Sequence, residues 1–345
     1  MIRFVLLVGL LIASGARAEP VVLRGVTMGT TYHIKLVEES GTVHTEKLHA
    51  DVEKVLTEID RQMSTYRRDS ELSRFNRAPA GKWFSVSAAT VEVVAAAQDI
   101  SEKTGGALDV TVGPLVRLWH FGPPSGNEGG AGSSKNQFVP PSEAKIATAR
   151  KSVGYQKLKV RTKPPALRKE VDGVEVDLSS IASGYAIDRL SELMAKHRIG
   201  AYMVELGGEV RAAGTREDGK PWRVALERPA AGKRELFTSV ALNNAAIATA
   251  GDYRKFFEYD VRRYSHVIDP ATGRPIEYQL ASVTVVANTC IEADGWDTPL
   301  LVLGPERGFE CAKKHGVAAL FLSYGKGGDE VRATPAWEKR LGAGK

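Results

Sequence analysis

The 345-residue chain has only two cysteines, Cys290 and Cys311. That is too few for a disulfide-built scaffold, and with no HExxH segment present it also argues against a zinc centre. Neither cysteine stands beside a histidine or a glycine-rich turn, which argues against a cysteine nucleophile. A single bridge and a pair of free thiols, with Cys290 buried in an apolar helical run, both fit the spacing. No apolar run reaches the roughly 20 residues needed to span a bilayer as a helix. The 47 lysines and arginines stand against 41 acidic residues and are scattered, so no basic patch marks a nucleic-acid partner. The phosphate-loop ending GK[ST] is missing too. The Gly/Pro/Ser-rich stretch at about 122–141 (GPPSGNEGGAGSSKNQFVPP) therefore reads as a flexible surface loop.

What is present is the composition of a folded, soluble protein. Hydrophobic residues make up 43% and charged residues 26%, which leaves room for a sizeable core. The first residues, MIRFVLLVGLLIASGARA, have the pattern of a secretory signal. Arg3 supplies the positive start, Phe4 to Ala13 the short apolar stretch, and Ala16-Arg17-Ala18 a small-x-small cleavage site. The expectation is cleavage after Ala18, residues 19–345 forming the mature domain, and a periplasmic location without stable membrane insertion. No cysteine stands at the cleavage region to take a lipid.

Apolar periodicity predicts helices over 48–63, 88–103, 142–151, 181–197, 289–303 and 306–315. It predicts strands over 21–37 (one or two), 174–178, 202–206, 209–214, 222–227, 239–249, 256–260, 264–268, 282–286 and 317–322. Thr289 and Glu292 have the spacing of a capping box at the start of one helix. Consecutive strand pairs between helices point to an α+β fold rather than a strict βαβ repeat.

Seven runs in order carry a resemblance: TMGTTY (27–32), RQMSTYRRDSELSRFN (61–76), GALDVTVGP (106–114), DLSSIASGYAID (177–188), ELGG (205–208), YSHVIDPATGRP (264–275) and ADGWDT (293–298). Together they resemble the ApbE family of flavin transferases over nearly the whole mature chain. The resemblance implies an α+β, T-fold-like architecture of two related α/β modules with a flavin in the cleft between them. It implies transfer of FMN from FAD to a threonine or serine of another protein, with FAD as substrate and Mg²⁺ (or Ca²⁺ or Mn²⁺) as metal. The partner it implies is an exported flavoprotein subunit of a membrane redox complex.

Asp294 and Thr298 are four apart on a predicted helix and so share a face. A carboxylate and a hydroxyl are hard oxygen ligands suited to Mg²⁺ or Ca²⁺, although an Asp near a helix start is also favoured by the dipole alone. The resemblance adds the backbone carbonyl of Ala182 to this metal set and makes Asp294 part of the catalytic apparatus. Ser183 stands where the family usually has lysine. Pro299 leaves the Gly295 carbonyl without its helical donor, so either the helix kinks there or that carbonyl faces the ion.

His266 is of the residue type that takes a proton from a hydroxyl near neutral pH; the alternative is a packed strand residue. The family places a histidine here close to the pyrophosphate, so His266 is expected both to act in catalysis and to touch FAD. Met28, Met63 and Tyr66 are candidates to line the isoalloxazine, or else to pack the core. Glu205 with Gly207 and Gly208, and Thr249 beside Gly251, could bring backbone N–H groups to a nucleotide, or simply form tight turns. Asp109 and Asp252, each near glycine, are further FAD-binding candidates or turn formers. Two rivals remain: an FAD pyrophosphatase, with water as acceptor, and a non-enzymatic flavin carrier.

Overall fold

The computed structural model describes residues 20–37, 44–123, 138–228, 235–251, 256–277, 280–325 and 328–341. The expected signal segment and its cleavage site at Ala18, most of the Gly/Pro/Ser stretch, and Asp252 lie outside the described residues.

One antiparallel eight-stranded sheet organises the fold. Its order is β1 (Val21–Thr27), β2 (Thr30–Leu36), β6 (Tyr202–Leu206), β7 (Glu209–Ala213), β10 (Ala245–Gly251), β15 (Leu280–Ala287), β16 (Ala318–Gly325) and β17 (Gly328–Ala333). Each half of this sheet holds four strands and one long helix: α6 (Ala182–Lys196) on β6 and β7, and α7 (Cys290–Lys314) on β10, β15 and β16. The two helices pack against each other, and α1 (Thr45–Met63) lies beside α6. β15 is buried along its whole length, as a central strand covered on both faces must be. On β2 the alternation is sharp. Tyr32, Ile34 and Leu36 face the core while Thr31, His33 and Lys35 face out.

A smaller layer surrounds this centre. α2 (Glu71–Arg77), α3 (Ala88–Lys103), α4 (Gly113–Leu118) and α5 (Glu143–Arg150) carry a three-stranded sheet of β3 (Phe84–Ser85), β5 (Ala166–Lys169) and β4 (Leu158–Arg161). Three two-stranded ribbons complete the strands: β8 (Trp222–Arg228) with β9 (Glu235–Leu242), β11 (Phe256–Tyr259) with β12 (Arg262–Ser265), and β13 (Ile268–Asp269) with β14 (Arg274–Pro275). The chain closes on α8 (Pro335–Leu341). None of the described helices is long and apolar enough to cross a membrane.

The α+β expectation holds, and several details differ from it. The 174–178 segment is no strand; it makes a single bridge from Glu175 to Val112, and the Asn76 side chain takes the N–H and carbonyl of Val176 at 2.8 Å each. The 239–249 run is two strands, broken at Asn244, which takes the left-handed conformation (φ 47°) that asparagine tolerates. The helices expected at 289–303 and 306–315 follow one another in α7 with a break at Gly304, φ 81°. Pro299 sits inside the first of them without ending it. α2, α4, β17 and α8 were not foreseen. Both cysteines are free thiols, Cys290 being buried.

Candidate active site where α6 meets α7

The loop leading into α6 is shaped by Asp177, whose carboxylate accepts the Ser179 N–H at 2.9 Å. Ile181 then precedes Ala182, the first residue of α6. Gly184, two residues further and still in the first turn, is where α6 touches α7. A Cβ there would lie 2.4 Å from the Cys290 carbonyl oxygen and 2.8 Å from the Asp294 Cβ, so no side chain fits. The contact lets the Gly184 N–H donate to Asp294 Oδ2 at 2.8 Å. The predicted Ala182 turn and Asp294 are thus brought together by the tertiary fold.

Thr298 lies one turn beyond Asp294, and its hydroxyl donates to Asp297 Oδ1 at 3.1 Å. Asp294 and Asp297 are both buried. Burial raises the Asp294 carboxyl to about 7; the Gly184 N–H opposes this and the charge of Asp188 adds to it. Asp297 is pushed well up by burial and then by the charges of Asp294 and Glu209.

Asp188 completes the group. Its two oxygens accept the Cys290 and Ile291 N–H groups, each at 2.9 Å, and it pairs with the Arg211 guanidinium. The capping box expected from Thr289 and Glu292 does not form, since Thr289 makes no side-chain cap. A carboxylate from α6 caps α7 instead, which suits the positive end of the helix dipole.

Among the described residues no group of three or more His, Cys, Asp or Glu side chains has the arrangement to hold a metal by itself. The all-oxygen set still fits a hard cation. Asp294 and Asp297 are buried acids that pay for ionisation, and a divalent ion beside them would relieve it. Such an ion would draw on Asp294, the Thr298 hydroxyl and backbone oxygen of the Ala182 turn, and would leave positions for ligands from a substrate.

Turns from the sheet reach the same end of the molecule. Met28, at φ 48°, forms the β1–β2 turn and packs on the core edge. Gly207 and Gly208, at φ 70° and 121°, form the two-residue turn of the β6–β7 hairpin. The two turns are neighbours, as the Gly207 N–H donates to the Thr31 carbonyl at 3.2 Å. Glu205 accepts the Gly208 N–H at 3.0 Å and pairs with His33. The β7–β10 register runs from Ala212↔Ala245 to Val210↔Ile247, which brings Thr249 level with the Gly207–Gly208 turn. The Thr249 hydroxyl shares a 2.9 Å hydrogen bond with that of Thr284.

Other expected residues stand elsewhere. Met63 is buried at the end of α1 and packs the core. Asp109 is buried in a turn, accepting the N–H and hydroxyl of Thr111 at 2.8 and 2.6 Å. Tyr66 is 61% exposed, so its ring face is open to a ligand, and its hydroxyl donates to the Phe121 carbonyl at 3.4 Å. A cleft of about 160 Å³ beside it is lined by Thr65, Asn76, Gly122 and Asp177, among others. His266 follows β12 in the bend before β13, rather than lying within a strand, and its ring and that of Phe121 stand 6.3 Å apart between centroids with their planes at 68°. A larger cavity of about 590 Å³, between the end of β15 and α8, contains none of the expected residues.

Sequence reading had assigned no role to Asp188, Asp297, Arg211 or Phe121. The two aspartates lie within the quoted runs DLSSIASGYAID and ADGWDT, so the signal was on the page. Their partners, about a hundred positions away in the chain for Asp188, were not.

Comparisons with known proteins place nearly the whole chain among relatives. The model of the ApbE family matches residues 28–321. A protein named FAD:protein FMN transferase from Vibrio cholerae is 42% identical over 320 residues, covering 92% of each chain. Another so named, from Haemophilus influenzae, is 40% identical, covering 92% of this chain and 90% of its own. Among solved structures, the flavin transferase ApbE from Vibrio cholerae superposes with TM-score 0.84 at 40% identity, over 94% of this chain and 99% of that one. The apo form of the Pseudomonas stutzeri flavinyl transferase ApbE does so with TM-score 0.84 at 39% identity, over 95% and 98%. A chain that shares sequence and fold with transferases over nine-tenths of its length is itself a transferase. It belongs to the ApbE family.

Proposed function

We propose that the protein is an exported, Mg²⁺-dependent FAD:protein FMN transferase. It moves FMN from FAD onto a threonine or serine hydroxyl in an exported segment of a membrane redox protein, and AMP leaves. The observation that carries this reading is the buried, all-oxygen Asp294 centre held against the first turn of α6, in a chain whose relatives are named for the reaction.

Each residue has a task in this reading. Tyr66 offers an open aromatic face to the isoalloxazine. The Gly207–Gly208 turn, whose own N–H groups already donate to Thr31 and Glu205, and the Met28 turn beside it give the adenylate side a close approach to backbone free of side-chain bulk. Asp294 and Thr298, with the Ala182 carbonyl, would hold the divalent ion, which supplies charge neutralisation at the pyrophosphate. His266 takes the proton from the attacking hydroxyl. The acceptor oxygen bonds to the FMN-side phosphorus, the phosphoanhydride bond breaks, and the electron pair leaves on AMP.

The test is to incubate the protein with FAD, Mg²⁺ and a candidate acceptor domain, and to weigh the acceptor. A mass increment of one FMN supports transfer. Free FMN and AMP would indicate an FAD pyrophosphatase, and unchanged FAD a flavin carrier; either overturns the proposal.

A further inference from the structure

The segment after α4 is built with unusual care for a surface turn. α4 ends in a paired closure: the Phe121 N–H donates to the Val116 carbonyl and the His120 N–H to the Arg117 carbonyl, both at 3.0 Å. This is the Schellman arrangement, whose pivotal residue is usually glycine because it must be left-handed. Here the pivot is His120, at φ 63°. A side chain in that region carries backbone strain, which persists only where the surroundings hold it. The strained pivot fixes the direction in which Phe121 leaves the helix.

Phe121 then makes three contacts. Its carbonyl accepts the Tyr66 hydroxyl at 3.4 Å. Its ring tilts onto Phe257 at 4.8 Å between centroids and meets His266 edge-on at 6.3 Å. Phe257 in turn stacks flat on Phe138 at 4.5 Å, and Phe138 leans on Tyr264 at 5.5 Å. Phe257 and Tyr264 are paired across β11 and β12, the ribbon that leads directly into His266. One residue therefore touches, through different atoms, both the expected flavin-stacking tyrosine and the expected base.

We propose that Phe121 is a positioning residue for the transfer step: its ring sets the place of His266, while its carbonyl fixes Tyr66. This rests on the transferase reading above. Because the two contacts use different parts of the residue, they separate on mutation. Replacing the ring leaves the carbonyl, so FAD binding should survive while proton removal from the acceptor loses its geometry. A displacement of about 1 Å in a reacting group can cost on the order of 100-fold in rate.

The test uses the full chain with FAD, Mg²⁺ and the acceptor domain. FAD affinity is read from flavin fluorescence, and single-turnover FMN transfer at saturating FAD from the acceptor's mass. Phe121→Leu keeps an apolar side chain, somewhat smaller, without the aromatic ring. It should slow transfer by roughly 10- to 100-fold while FAD affinity stays within about threefold. Phe121→Tyr, which keeps the ring, should restore the rate to within about threefold. In a His266→Ala background Phe121→Leu should slow transfer no further, because the ring acts through that histidine. If the leucine chain does not fold, Phe121→Met takes its place in the same cycle. With an active wild type, a Phe121→Leu enzyme at the wild-type rate overturns the proposal. So does a rate loss of the same size in both backgrounds, which marks a merely structural role. A wild type that forms no FMN-bearing acceptor overturns the transferase reading and this proposal with it.

Discussion

Removing the carboxylate of Asp188 should loosen the helix that carries Asp294. In the folded chain this one side chain accepts the buried Cys290 N–H and the partly buried Ile291 N–H, and pairs with Arg211. Asp188→Ala leaves both N–H groups without that acceptor, at about 1–3 kcal/mol each. It also withdraws a negative charge from the α7 N-terminus, worth about 0.3–2 kcal/mol. Relief of the repulsion between Asp188 and the neighbouring Asp294 offsets part of this, and Arg211, which is 23% exposed, can turn to water. The net loss is about 3 kcal/mol, or roughly 4 °C in melting temperature for a chain of this size. Asp188→Asn keeps one acceptor oxygen and should lose about half as much. Differential scanning calorimetry of the three chains in chelator checks the order wild type, Asn, Ala. An alanine variant that melts within about 1 °C of the wild type would refute the claim that a carboxylate from α6 holds the start of α7.

The raised carboxyl of Asp294, at about 7, gives a pH prediction. Between about pH 4 and pH 7 the folded, metal-free chain keeps a proton that the unfolded chain has released, so stability should fall as pH rises through that window. Mg²⁺ replaces that proton, so it should raise the melting temperature more at pH 8 than at pH 5; an equal increment at both would count against Asp294 as a ligand. Asp294→Ala should stay folded and lose Mg²⁺-dependent transfer, as measured by acceptor mass beside a circular dichroism spectrum. His266→Ala should keep FAD affinity and slow single-turnover transfer by roughly 10²–10⁴-fold; wild-type rate at saturating FAD would end its assignment as the base. N-terminal sequencing of protein from the exported fraction should begin at Glu19, whereas a retained, uncleaved chain would contradict export.

Features that depend on neighbours in sequence could be read from the sequence. The helix over 88–103 has the bounds expected, since Ser87 caps it and Gly105 and Gly106 stop it within a few residues. The strand 202–206 and its glycine turn were legible for the same reason: alternation and left-handed glycines are local properties. The family motifs likewise singled out Asp294, Thr298 and His266 as candidates. Contacts between distant segments were decided only by the tertiary structure. Thr289 had the spacing of a cap, but Asp188, 102 positions before Cys290, accepts the orphan N–H groups in its place and carries a full charge. Met63 and Tyr66 stand three residues apart and looked alike as flavin candidates, yet one closes the core and the other opens to solvent. The segment 174–178 alternates like a strand, but the Asn76 side chain takes both backbone groups of Val176, so only a bridge to Val112 and a bond from the Asp177 N–H to the Val110 carbonyl form beside it. Local pattern sets what a segment can form. Which charge meets which helix end follows from packing α6 on α7 at a glycine that leaves no room for a side chain.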